Sequence, residues 1–226
     1  MVTAKVSIVL RPNMTDNYQK ERIKHAAHDL MMKYSIRSVS MDDIAASVGM
    51  SKKTLYQYYK DKDELVKAVI CSVIQDSRCQ SDHHVEAADN AVQEIFLEME
   101  MMVEMFKSMN PAILYEMQKY HPDAYQHFQQ YKMEYLYGHI QQNIERGIKE
   151  ELYRPDINPQ ILAKFRIESM FIAFNPEFQR SLNKYTLLEI EEQIIMNFLF
   201  GLVTQKGFKL AMKYMIQREK TITNNK

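Results

Sequence analysis

Glycine and proline are scarce, at five and six residues in a chain of 226. Both are the residues that turn or break a chain, so their scarcity argues against a turn-dense fold and favours long helices. No apolar run approaches the roughly 18 residues a membrane-spanning helix needs, so no membrane partner is expected. The stretch Val6-Ser-Ile-Val-Leu10 is too short for the core of a signal peptide and lacks a cleavage site, which makes a cytoplasmic location the expectation. The two cysteines, Cys71 and Cys79, stand eight residues apart on one expected helix. That spacing is about 12 Å of rise, too far for a mutual disulfide, and both are expected as reduced thiols. Motifs for catalysis are missing too. There is no phosphate-binding P-loop, no glycine-rich dinucleotide turn and no cysteine pair at zinc spacing. His83 and His84 are neighbours and point apart on a helix, His121, His127 and His139 are scattered among aromatics, and Glu150-Glu151 reads as a solvated face. No enzymatic activity, metal site or cofactor is expected.

Hydrophobic residues make up 46% of the chain, enough for a packed core, and the length suits one large or two small domains. The formal net charge is zero but unevenly spread. Residues 1–80 hold 13 Lys+Arg against 9 Asp+Glu, and the rest holds 16 against 20. A basic front and an acidic back fit a nucleic-acid-binding head on a non-binding body.

The chain is organised around Ser40 to Leu65. Ser40 is a helix N-cap, with Asp43 three residues on to complete a capping box. Ile44, Ala45 and Val48 give a short helix one apolar face. Gly49 follows where a helix needs a left-handed residue to stop. Ser51 caps a second helix with Leu55 and Tyr59 on its inner side, and Asp61 caps the next. The outer side of the second helix carries Lys52, Lys53, Thr54, Tyr56, Gln57 and Tyr58. This is a helix-turn-helix pattern with a polar, basic outer face. Lysines and hydroxyls can bond phosphates, and Gln, Thr and Lys can reach base edges in the major groove of double-stranded DNA. An ordinary helix pair with a solvated face has the same spacing, so the pattern alone leaves both readings open.

The run Ile44-Ala45, Val48-Gly49, Ser51, Thr54-Leu55-Tyr56, Tyr58-Tyr59, Lys62 and Leu65 resembles the N-terminal signature of the tetracycline-repressor (TetR) family, from about Tyr18 to Val69. Lys53 departs from the small residue or proline usual there, Tyr58 from a frequent histidine and Tyr59 from the usual phenylalanine. An aromatic ring is kept at Tyr59, so its core role survives; Lys53 bears on which operator is read. The resemblance implies a DNA-binding transcriptional regulator, most often a repressor, that binds a palindromic operator as a homodimer and answers to a small-molecule effector. Lys52, Lys53, Thr54 and Gln57 are the expected base-edge contacts, and Tyr56, Tyr58 and Lys62 the expected phosphate contacts.

The rest of the chain reads as helices throughout. Residues 1–15 alternate weakly, have no partner strand, and are expected to form a loose arm whose Lys5 and Arg11 could touch DNA; Met14 is a second possible start. A first helix from about Asp16 to Tyr34 carries the stripe Ile23, Ala27, Leu30 and Tyr34, which should pack across the motif and complete a three-helix head. Its Lys20, Arg22 and Lys24 are placed to meet phosphate. Asp61 to about Gln80 is a longer helix, which the resemblance makes the link between head and body. Ser81–Asp89 is polar and reads as a linker. Further helices are expected at about 90–108, after Pro111, at 123–153, 160–174 and 186–203, and on to about Gln217, with a frayed tail from Arg218. The expected class is all-α: an N-terminal three-helix helix-turn-helix head plus a C-terminal antiparallel helical bundle body. The units are an arm (1–15), a DNA-binding domain (16–62) and a ligand-binding and dimerisation domain (63–226).

Met, Tyr and Phe are concentrated in the body. Met99, Met102, Phe106, Tyr115, Met117, Phe128, Tyr131, Tyr135, Phe165 and Met170 are the expected lining of a pocket for a flat, mostly apolar molecule. Plain core packing explains any one of them equally well. The apolar stripes at 160–174 and 187–203 are wide, and the resemblance makes them a four-helix dimer interface. Two other readings stay open. One is a helical small-molecule-binding or enzymatic protein whose helix pair is only structural. The other is a DNA-binding dimer whose body binds no ligand.

Overall fold

A computed structural model of the chain describes residues 14–107 and 109–224, and these fold into helices throughout, joined by short loops. Residues 1–13 of the expected arm lie outside that description. Its last two, Met14 and Thr15, already belong to the first helix, α1 (Met14–Tyr34).

The head is α1, α2 (Met41–Ser47) and α3 (Lys52–Tyr58). The buried stripe of α1 is Ile23, Ala27 and Met31, one residue per helical turn, rather than the expected stripe ending in Tyr34. Tyr34 is 51% exposed with the Lys33 ammonium over its ring. The reason lies one residue further on: Ser35 is buried with a positive φ of 79°, so the chain turns there and buries Ile36 and Val39. The capping box of α2 is present in both directions, Ser40 accepting from the Asp43 N–H and Asp43 from the Ser40 N–H. Gly49 takes a φ of 64°, which an L side chain adopts only at a cost. Ser51 accepts from the Thr54 N–H and Asp61 from the Glu64 N–H.

Helix α4 (Lys62–Ala87) runs straight through the expected linker. Ser81 is buried and its Oγ donates to Glu98 Oε2 at 3.1 Å, while His84 Nδ1 lies 2.9 Å from Glu98 Oε1. The guanidinium of Arg146 donates to the carbonyls of Val85 and Ala88. The polar stretch is therefore helix packed on polar partners, and the break comes only at Ala88–Asn90.

In the body, α5 (Ala91–Phe106) packs against α4, α8 (Tyr137–Lys149), α11 (Leu187–Leu202) and α12 (Gln205–Asn224). Helix α6 (Ile113–Tyr120) ends at His121, and Pro122 opens α7 (Pro122–Gln130). Six residues of π-helix, Tyr131–Leu136, join α7 to α8 (Tyr137–Lys149). Helices α9 (Pro159–Ile172) and α11 (Leu187–Leu202) bracket a short α10 (Pro176–Ser181), which lies between the expected helices at 160–174 and 186–203 and is capped by Asn175. Helix α12 (Gln205–Asn224) continues beyond the expected end at Gln217, with Arg218 paired to Glu192. Near the end of α8, a Cβ on Gly147 would stand 2.1 Å from the ring of Tyr153, so only glycine fits there. One buried cluster runs from Ile23 and Leu55 in the head through Leu65 of α4 to Met99 and Leu199 in the body.

Candidate DNA-contacting face and body cavity

Leu55 and Tyr59 are buried, and the Tyr59 hydroxyl donates to the Lys20 carbonyl at 3.3 Å. Burial holds the Tyr59 hydroxyl neutral by pushing its pKa up to about 12, so it acts here as an anchor. With that side pinned, Lys52, Lys53, Tyr56 and Gln57 stand exposed on the other, with Thr54 and Tyr58 half-buried beside them. The six outer-face candidates are thus brought together on one short helix. Lys52 is paired with Asp42 of α2 at 2.9 Å, a bond that favours its charged form. The Thr54 and Ser51 hydroxyls are 2.8 Å apart.

Lys62 is placed differently from the others. Its half-buried ammonium donates to the Ile36 carbonyl at 2.6 Å, and burial lowers its pKa. It braces the loop between α1 and α2. The basic residues of α1 are engaged as well: Arg22 donates to the Val48 carbonyl, Lys24 pairs with Glu21 at 2.6 Å, and the Lys20 ammonium lies over the Tyr59 ring.

The head is joined to the body by polar bonds around that same loop. Glu116 of α6 accepts the Arg37 N–H at 2.8 Å, and the Arg37 guanidinium lies over the Tyr120 ring. His121 Nδ1 is 2.6 Å from Asp63 Oδ1, and the Asn110 N–H donates to the Met32 carbonyl at 2.7 Å. Helices α4 and α6 both reach from this junction to the wall of a cavity.

That cavity has a volume of about 160 Å³ and walls that are almost wholly apolar. Of the expected lining, Met102, Phe106, Met117, Phe128, Tyr131 and Met170 are in its wall. The other four are not. Met99 is wholly buried in packing between helices, and Tyr115 is exposed on α6. Tyr135 stacks on Tyr131 outside the wall and donates to Asp82 at 2.7 Å. Phe165, 55% exposed, faces outward on α9. The sequence reading missed Met105 and Phe171, which share the Met and Phe enrichment that signalled the others. It also missed the charged groups Glu98 and Arg166, which carried no sequence signal.

Glu98, in the wall of the cavity, belongs to a polar cluster. Burial opposes its charge, but hydrogen bonds from His139 and His84 outweigh that and hold its pKa below the ordinary carboxylate value. His139 is held above the ordinary histidine value: burial works against its charge, and Glu98 and Glu94 overcome it.

Helix α9 carries an outward apolar stripe: Ile161 at 66% exposure, Phe165, and Ile172. On α11 most of the apolar residues face inward. Leu187, Ile190, Ile195, Phe198, Leu199 and Leu202 are buried within the chain, and Leu188, Ile194, Met196 and Phe200 are half-exposed. Among the described residues, no helix is long and apolar enough to cross a membrane.

Residues 23–69 match the family model described as bacterial regulatory proteins, tetR family. The chain is 28% identical over 169 residues to an uncharacterized HTH-type transcriptional regulator, YvaF, of Bacillus subtilis strain 168, an alignment covering 74% of this chain and 86% of that one. Its fold is similar to that of a TetR-family transcriptional regulator from Agrobacterium tumefaciens, with a TM-score of 0.67 at 14% identity, covering 84% of this chain and all (100%) of that one. A crystal structure of a putative transcriptional regulator from Saccharomonospora viridis in complex with choline matches equally, with a TM-score of 0.67 at 15% identity over 84% of this chain and 100% of that one.

Proposed function

Because the chain belongs to the tetR family of bacterial regulatory proteins and is a transcriptional regulator, we propose that it acts in the cytoplasm as a ligand-responsive repressor, binding a palindromic operator as a homodimer, and not as an enzyme. The observation that carries this reading is the pinned α3. Its inner side is buried through Leu55 and Tyr59, which leaves Lys52, Lys53, Tyr56 and Gln57 in one fixed polar array. A rigid helix with exposed amide and ammonium groups suits base-edge reading, and the flanking hydroxyls suit phosphate. Lys53, Thr54 and Gln57 are the favoured base contacts, with Lys52 if it leaves Asp42; Tyr56 and Tyr58 are the favoured phosphate contacts. Lys62, engaged at Ile36, is better placed as a brace.

The outward stripe of α9, with Ile194 and Phe200 of α11, supplies the apolar surface for a two-fold pairing, which sets two copies of α3 on successive major grooves. The cavity supplies the effector site. Ile70 and Ile74 of α4 and Ile113 and Met117 of α6 are in its wall, and the same helices hold Asp63, Glu116 and the α1–α2 loop. A ligand that favours one packing of α4 and α6 thereby favours one placement of the heads, by no more than its preference between the two packings.

The test is protection of the chain's own upstream intergenic DNA from cleavage by the purified protein at two salt concentrations. The expected result is a two-fold symmetric footprint that weakens with salt. No footprint there, together with no sequence enriched from random duplexes, overturns the reading.

A further inference from the structure

Arg166, on α9, is only 3% exposed and stands in the wall of the cavity. It also stands in the wall of a second, smaller chamber of about 70 Å³. The two chambers share Glu98, Leu136, Met170 and Ile195 as well, so Arg166 sits at the partition between them. Its counter-charge is Glu191 of α11, which is fully buried. Yet Arg166 Nη1 and Glu191 Oε2 are 3.7 Å apart, and neither that nitrogen nor either Glu191 oxygen has a hydrogen-bond partner. Buried charges are ordinarily held in place by hydrogen bonds, and a pair without them is weakly fixed. The structure therefore leaves a buried guanidinium nitrogen without a partner, on a side chain that forms part of a mostly apolar wall.

The other charge in the wall is already supplied. Glu98 receives Ser81 Oγ on one oxygen and His84 on the other, with His139 Nε2 at 3.6 Å. A cationic ligand would compete with those partners, whereas an anionic one would meet an unmet donor.

We propose that this cavity takes an apolar molecule ending in a carboxylate, with the carboxylate on Arg166 and the hydrocarbon among Met102, Phe128, Met170 and Phe171. The proposal rests on the reading of the body as an effector site and adds the chemistry of the effector. A planar guanidinium matches a carboxylate with paired N–H donors, so the new pair is better made than the one it replaces. Glu191, which then loses its counter-charge, takes a proton from solvent and stays neutral. Burial already pushes its pKa up to about 7, against the opposing charge of Arg166. A chamber of the larger cavity's size holds about one benzene-sized ring, and the adaptable methionine walls suit a short chain beyond it.

The test is calorimetric titration of the full chain with three molecules that differ only in the head group: 4-phenylbutanoate, 4-phenylbutan-1-ol and 4-phenylbutan-1-amine, with the matching octyl series in parallel. The acid is expected to bind roughly tenfold more tightly than the alcohol or the amine. Arg166→Met should abolish that preference and leave the alcohol within about threefold of its original affinity. Glu191→Gln removes the competing carboxylate and should tighten the acid by about threefold with no change for the alcohol. It carries the test if Arg166→Met does not fold. Equal binding of acid and alcohol, or a tighter amine, overturns the head-group assignment and leaves the effector site standing. A preference that survives Arg166→Met, or acid binding unmoved by Glu191→Gln, overturns it as well. If no member of either series binds, the effector-site reading falls and takes this proposal with it.

Discussion

Glu116 on the body accepts the backbone N–H of Arg37 in the head at 2.8 Å, across the loop that Lys62 braces from the other side. This bond joins a helix that lines the cavity to the loop leading into the helix-turn-helix. Glu116→Ala is expected to raise amide exchange at Arg37 by roughly tenfold and to leave exchange in the core of α5 unchanged. Exchange at Arg37 that does not move would show that the bond does not persist in solution.

Lys62 makes a second prediction about the same loop. Removing its ammonium with Lys62→Met should cost about 1 kcal/mol of stability through the lost bond to Ile36, read as a lower urea midpoint. The salt dependence of DNA binding should keep its slope, because the ammonium is not a phosphate contact in this reading. A slope that falls by about one would return Lys62 to the phosphate contacts.

On the outer face, Gln57→Ala is expected to relax discrimination at one base position by about 1–3 kcal/mol while non-specific binding persists. Lys52→Ala acts differently. It removes a cation and exposes the Asp42 carboxylate it neutralises, so affinity should fall for all sequences together. Competition binding with single-base operator variants separates the two patterns.

The stripe on α9 predicts that Phe165→Glu together with Ile161→Glu gives a folded monomer, since both side chains are exposed in the single chain and their loss leaves no cavity. Sedimentation velocity should show the halved mass, with unchanged helical circular dichroism. A dimer that survives both charges would place the interface elsewhere.

Glu191 sets a pH dependence. Its pKa in the folded chain is raised to about 7 from an ordinary 4.5, first by burial and against the pull of Arg166. The native state therefore holds a proton that the unfolded state releases. The stabilisation is complete below the ordinary carboxylate range and is lost as pH rises through about 7. Relative to Glu191→Gln, the wild-type chain should lose about 2 kcal/mol between pH 5 and pH 8, measured from urea midpoints. Parallel curves for the two proteins would contradict the raised value.

The sequence by itself determined what is local. The caps at Ser40, Ser51 and Asp61, and the left-handed stop at Gly49, join a side chain or a φ angle to backbone within three or four residues, so their spacing alone identifies them. The basic outer face of α3 was legible for the same reason, because Leu55 and Tyr59 decide which side is buried. Only the tertiary structure decided the rest. Phe165 faces out while Phe171, six residues on, faces the cavity; both read alike as aromatics on one helix, and only the position of the neighbouring helices separates them. The polar run Ser81–Ala87 looks like a linker until Glu98 and Arg146, distant in the chain, supply its partners. Lys62 and Arg166 were ordinary surface cations by composition. What they do depends on desolvation and on contacts with residues 26 and 25 positions away, Ile36 and Glu191, which the fold alone brings within reach.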